Sequence, residues 1–210
     1  APLQPRAPHL AWRGELSRRG LGIFDMSNGI GAHEVVIETP SHHKTLADLN
    51  YQEMLEVVKK YRSRSQGLGR DRRFKYILIF KNSGESAGAT LEHCHSQIIA
   101  LPMVPKYVLE ELEGAKYYYG YRGRCIFCDI IAQEYQDKER IVAENKDFIV
   151  FCPFVPRYPF ESWITPKKHS SQFSDMSEEE AYNLGCILKE ILLRVKICLR
   201  DPSYNFFLHT

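Results

Sequence analysis

A chain of 210 residues with 28 Lys and Arg against 26 Asp and Glu carries a net charge of +2, and is 44% hydrophobic and 26% charged, the balance of an ordinary soluble globular protein. A field this weak recruits neither nucleic acid nor a membrane surface, and no apolar run approaches the ~20 residues of a membrane span. Six cysteines are too few for a disulfide scaffold, which points to a reducing, cytoplasmic setting, and the start carries no secretory pattern.

The opening "APLQPRAPHLAWRGELSRRG" has no periodicity and reads as an irregular surface segment or the cut end of something longer. "HEVVIETP" is a short strand stopped by Pro40. Leu49, Met54, Leu55, Val58 and Tyr61 recur at helical spacing, so a helix is expected to end before "GLG" at 67–69. The basic cluster "GRDRRFK" then reads as a solvated turn rather than a nucleic-acid patch. "KYILIF" is a buried strand, and "KNSGESAGAT" a polar, glycine-bearing loop. The next strand holds "LEHCHSQIIA". "VPKYVLEELEGAK" gives a short helix, and "YYYGYRGR" leads out of the first half.

After Cys125 the order recurs. "RIVAENKDFIVFCPF" gives two strands about a turn at 144–146, and "ESWITPKKH" gives a third. Ser177 with Glu180 forms a capping box that opens a long amphipathic helix to about Leu199, and "SYNFFLHT" is a last strand. The halves rhyme: "VVIETPSHHKTLADL" matches "SWITPKKHSSQFSDM", each followed by a helix and an apolar strand (76–80 and 205–208). This internal duplication predicts two similar α+β domains, 1–120 and 121–210, each an antiparallel sheet with a packed helix. The second copy stops where its own histidine-bearing strand would follow, so the chain reads as truncated.

Three constellations carry chemistry. In an extended strand, alternate residues share a face, so His93, His95 and Gln97 form one polar row, with Cys94 and Ser96 pointing the other way. A neutral imidazole attacks phosphorus well when its other ring nitrogen donates to a fixed carbonyl, and a backbone carbonyl in the same tight segment could serve His95. Gln97 can bind a phosphate oxygen without being ionisable. The loop before it offers small residues, backbone N–H groups and the Thr90 hydroxyl, a nest for anionic oxygens. Cys125 and Cys128 have zinc-ligand spacing, with His169 as the natural third ligand and His209, or a residue beyond the chain, as a fourth. A redox role for this pair is disfavoured because the helix-start context of redox pairs is not expected here. His42, His43 and His93 are further nitrogen candidates, although no cysteine precedes Cys94, and His42 and His43 taken alone read as loop residues.

Together, "HEVVIETPSHH", "FKNSGESAGATLEHCHSQIIALP", "CIFCDII", "PFESWITPKKHSSQF" and "DPSYNFFLHT" resemble, in order, the blocks of the galactose-1-phosphate uridylyltransferase family, a branch of the histidine-triad superfamily. The likeness runs from about Gly31 onward and is nearest to the branch containing ADP-glucose phosphorylase and its bacterial relatives. It implies two tandem histidine-triad-like domains, the second incomplete. It also implies a nucleotidyltransferase that moves a nucleoside monophosphate from a nucleotide sugar to a sugar 1-phosphate or phosphate, by way of a covalent nucleotidyl-histidine.

By the same resemblance His95 is the nucleophile, Gln97 binds the transferred phosphate, and Asn82, Gly88, Ala89 and Thr90 line the nucleotide phosphates. His93 and His42 bind one zinc with an upstream cysteine pair that this chain lacks. Cys125, Cys128 and His169 bind a second. A homodimer is expected. Hydrolytic relatives place a third histidine where this chain has Gln97, which favours transfer over hydrolysis. A module that only held zinc would need none of Asn82, Gly84, Gly88, His95 and Gln97.

Overall fold

The computed structural model describes residues 10–11 and 14–210, so most of the first twenty residues, read as an irregular segment, lies outside the described residues or at their margin. The first regular elements are two short exposed strands, β1 (Arg19–Leu21) and β2 (Phe24–Met26), paired antiparallel.

The main sheet is antiparallel and four-stranded, in the order β3 (Ala32–Ile37), β5 (His95–Leu101), β4 (Tyr76–Ser83), β9 (Tyr204–Leu208). A second antiparallel sheet orders β6 (Ile141–Glu144), β7 (Phe148–Phe151) and β8 (Trp163–Pro166). The architecture is α+β, and the halves share two long helices.

Helix α1 (Tyr51–Gly69) starts at Asn50, whose side chain accepts from the Glu53 N–H while the Glu53 carboxylate accepts from the Asn50 N–H. Its buried stripe of Met54, Leu55, Val57, Val58, Tyr61, Ser65 and Leu68 recurs every three or four residues. The helix runs through Gly67 and Gly69 rather than stopping before them, because burying Leu68 repays the modest propensity cost of glycine. Helix α4 (Glu178–Cys198) opens on the Ser177–Glu180 box as expected. It packs on α1 at Gly185, where a Cβ would lie 3.3 Å from the Met54 backbone; the bare Cα lets the two helices approach.

Three expectations change. Helix α2 is longer than predicted: it spans Lys106–Arg122 and takes in "YYYGY", ending at Gly123 in a left-handed cap. A further helix, α3 (Ile126–Asp137), follows at once with Cys125 as its N-cap. The Cys125–Cys128 pair therefore does sit at a helix start, the context judged missing from the sequence. Finally β9, read with the second half, pairs with β4 of the first, in register from Ile79↔Leu208 to Ser83↔Tyr204. Its apolar residues Phe206 and Leu208 pack against the first half's core, and burial there outweighs sequence proximity.

Candidate active site

Along β5 the side chains alternate as a strand requires. Ser96, Ile98 and Ala100 are buried towards the core, while Gln97, Ile99 and Leu101 on the other face are half-buried. His95 belongs to the Gln97 face, yet it is only 4% exposed. His93 departs from the predicted row: β5 begins at His95, and His93 lies in the bend ahead of it.

That bend does chemical work. His95 Nδ1 lies 2.7 Å from the backbone oxygen of His93. A carbonyl can only accept, so Nδ1 carries a hydrogen, and in the neutral ring the lone pair is on Nε2. The carbonyl required for a nucleophilic imidazole is thus supplied from within the segment. Further along the same face, His33 Nε2 donates to Gln97 Oε1 at 2.8 Å, which leaves both amide hydrogens of Gln97 free to donate.

A cleft of about 90 Å³ opens beside His95, and its lining includes His42, His43, Lys44, Asn82, Gly84, Ala89, His93 and His95. Its upper wall is the loop after β4. Gly84 there has φ 87, in the region that favours glycine, and the turn closes through Ala87 and Ala89 N–H bonds to the Gly84 oxygen, both 3.2 Å. Asn205 of β9 clamps the loop by donating to Asn82 Oδ1 at 2.8 Å and to the Ala87 oxygen at 2.9 Å. Gly88 and Thr90 are exposed on this loop outside the cleft lining, and Gln97 sits one same-face position beyond His95.

The nitrogen candidates divide. His42 and His93 come together, their rings edge-to-face with centroids 4.5 Å apart. Among the described residues no third His, Cys, Asp or Glu joins them as a potential ligand. Cys125, Cys128 and His169, by contrast, have ligand atoms within 4.8 Å of one another, a set that could hold a metal ion. Cys128 Sγ is 3.3 Å from His169 Nδ1, and burial, reinforced by Cys125, raises the Cys128 thiol above its ordinary range. His209 is not part of this group: at the end of β9 it faces Glu111, 3.5 Å away, and the Phe207 ring. It was suggested as a fourth ligand, but the pairing of β9 with β4 carries it to the first sheet.

The two halves of the chain match two consecutive models of one family: galactose-1-phosphate uridyl transferase, N-terminal domain, over residues 14–105, and the C-terminal domain over 105–198. The chain belongs to the galactose-1-phosphate uridylyltransferase family.

Relatives within and around this family include the ADP-glucose phosphorylase of Arabidopsis thaliana, 39% identical over 87% of this chain and 50% of that protein. The galactose-1-phosphate uridylyltransferase of Thermotoga maritima is 32% identical over 81% and 53%. The crystal structure of the Arabidopsis ADP-glucose phosphorylase with bound ADP-glucose superposes with a TM-score of 0.82 at 38% identity, covering 88% of this chain and 57% of that one. The chain spans about half the length of the curated relatives it matches.

Within this uridylyltransferase-family site, several partners were not singled out from the sequence. His33 and Asn205 approach Gln97 and Asn82 from other strands. Beneath His95 lies a polar cluster of Glu38, Tyr61, Lys81, Cys94 and Ser96, all buried. Burial, then the Glu38 carboxylate, pushes the Cys94 thiol up to about 12 and holds the Tyr61 phenol well above its usual range. Neither ionises near neutrality, and the Cys94 thiol is protonated and buried. A charged residue inside an otherwise apolar strand, as Lys81 is after "YILIF", is the one signal that could have revealed the cluster.

Proposed function

We propose that the chain carries the nucleotidyl-transfer site of an enzyme that moves a nucleoside monophosphate from a nucleotide sugar to a phosphate acceptor. The observation that carries this reading is the Nδ1–H of His95 held by the His93 carbonyl, with Nε2 left as a lone-pair donor beside a glycine-bearing loop. The naming of relatives as ADP-glucose phosphorylase and galactose-1-phosphate uridylyltransferase supports it.

In the first half-reaction Nε2 attacks the phosphorus bearing the nucleoside. The N–P bond forms, the bond from that phosphorus to the bridging oxygen breaks, and the sugar 1-phosphate departs with the electron pair. In the second, an oxygen of the acceptor phosphate attacks the same phosphorus, the N–P bond breaks and the neutral imidazole returns. Gln97 donates its free amide hydrogens to the transferred phosphate, while Asn82, Gly88, Ala89 and Thr90 bound the nucleotide phosphates. Because Gln97 has no titratable proton to give a leaving group, transfer to a phosphate is favoured over hydrolysis.

Zinc fits Cys125, Cys128 and His169: two thiolates and an imidazole are its usual ligands, and the spacing of their ligand atoms suits a tetrahedral ion. Bound there it would fasten the start of α3 to the segment after β8, a structural role. His42 and His93 alone would bind a metal weakly. A cytoplasmic setting is supported by six free cysteines, and a homodimer by α2, none of whose residues is buried.

Intact-protein mass after exposure to UDP-glucose, UDP-galactose or ADP-glucose, with no acceptor, tests the reading. A gain of one nucleoside monophosphate in the wild type, absent in His95→Ala, is expected, and the mass added names the base. A folded protein that takes up no adduct from any of the three overturns it.

A further inference from the structure

Strands β4 and β5 stay paired only as far as Phe80↔Gln97. Beyond that point β4 keeps only the pairing on its other edge, Lys81 with Phe206 and Asn82 with Asn205 of β9, while His95 remains paired with Ile37 of β3. The sheet parts here, beside His95. Lys81 reaches back across the gap: its Nζ donates to the backbone oxygen of His95 at 2.8 Å and to Glu38 Oε2 at 2.6 Å.

The two charged side chains are 2% and 0% exposed. An ion pair this buried is weak support for stability, since desolvating two charges costs about what their attraction returns. Its value must be sought in what it holds. Glu38 accepts from Ser96 Oγ and from Cys94 Sγ at 2.9 Å, the residues on either side of His95, and its own N–H donates to the Cys94 oxygen at 3.2 Å. Tyr61 donates to the same carboxylate at 2.7 Å from helix α1. Besides its pairing with β3 and its ring bond to the His93 oxygen, His95 is therefore anchored through its own carbonyl and through both neighbours, and these three anchors lead to Glu38 or Lys81.

We propose that Lys81, held by Glu38, is a positioning residue for His95: it fixes the backbone of the nucleophile, and hence Nε2, along the line of attack on phosphorus. This rests on the nucleotidyl-transfer reading above. Lys81 borders the cleft, but its Nζ is engaged by Glu38 and by the His95 oxygen, and Glu38 is not among the cleft-lining residues. The two side chains act by keeping the imidazole in one place where the β4 side of the ladder has ended and β3 alone pairs with the strand, and a misplacement of about 1 Å costs on the order of 100-fold in rate.

The test uses the full protein with two variants, Lys81→Met and Lys81→Met combined with Glu38→Gln, the second leaving no unpaired buried charge. Single-turnover formation of the nucleotidyl adduct, donor affinity and the ring-nitrogen NMR signals of His95 are measured in each. The double variant is expected to fold, to bind donor within about threefold of wild type, to form adduct roughly 10- to 100-fold more slowly, and to show altered His95 ring signals.

A wild-type rate of adduct formation in the double variant overturns the proposal. So does a loss confined to donor affinity, and so does failure of the double variant to fold, which would make the pair a requirement of the fold. If the wild type itself forms no adduct, the transfer reading falls separately. The ring signals then decide alone, and signals unchanged between wild type and double variant overturn the positioning role.

Discussion

One methyl group at Gly84 would test how the loop beside His95 is held. Its φ of 87 is strained for any other residue, and an added Cβ would overlap the Ser203 side chain and come within 3.1 Å of the Ser203 Cα. Gly84→Ala is expected to cost about 2–3 kcal/mol, the backbone penalty plus displacement of the segment before β9. Denaturant unfolding checks this, and donor affinity should weaken in parallel because the Asn82 clamp moves with the loop. The glycine was legible in the sequence as a loop former. Its close neighbour was not, because Ser203 arrives only through the pairing of β9 with β4. His95 divides in the same way: the two histidines and Gln97 marked the site, and a backbone partner for Nδ1 was anticipated, but His33 and Lys81 lie in other strands, and only the pairing of those strands brings them to it.

Among the elements, α4 shows where local rules suffice. The Ser177–Glu180 box and the apolar spacing of Leu184, Leu188, Ile191 and Leu192 placed it correctly, since both signals are read within one helix. The tie from α4 to the segment ahead of α1 is tertiary. Lys196 Nζ lies 2.7 Å from Asp48 Oδ1. Although burial would raise the Asp48 carboxyl, hydrogen bonds from Lys196 and Thr45 outweigh it and hold the group at about 2, against 3.8. A folded-state value below the unfolded one means the stabilisation is present above about pH 4 and is lost as pH falls towards 2. Asp48→Asn is expected to lower stability at pH 7 by about 0.5–1 kcal/mol, discounted for the group's partial exposure. The difference from wild type should shrink steadily between pH 4 and pH 2, as thermal scans at several pH values would show. Helix α3, like the short strands β1 and β2, is an element that sequence reading missed: Cys125–Cys128 drew attention as ligands, and the structure shows Cys125 at the N-cap position of a helix.

At the scale of the molecule, the two halves meet through their long helices and the strands that follow them. Helices α1 and α4 pack together at Gly185, and β4 and β9, the strands that follow those helices, pair antiparallel. Two buried clusters result, and α1 and α4 contribute to both: Met54, Val57 and Leu188 in one, Leu55, Val58 and Leu184 in the other. The candidate metal site lies apart from the cleft, on α3 and the segment after β8, so its loss should act on the fold before the chemistry. Cys128→Ser is expected to reduce bound zinc from about one ion per chain to background and to lower the unfolding temperature. Metal analysis with calorimetry measures both. Retention of stoichiometric zinc would show that other ligands hold it.

What the sequence alone determined is what chemistry and local periodicity encode. The spaced His, Gln, Asn and Gly residues marked a candidate site, the Cys-x-x-Cys with His169 marked a group that could hold a metal ion, and the caps and apolar stripes set α1 and α4. What the tertiary structure decided is which distant strands share an edge. Hydrophobic burial is nondirectional and indifferent to chain order, so β9 joins the first sheet, His209 goes with it, and Asn205 reaches the loop of Asn82. Where the β4–β5 ladder ends, His95 lies beside an opening that a buried lysine spans.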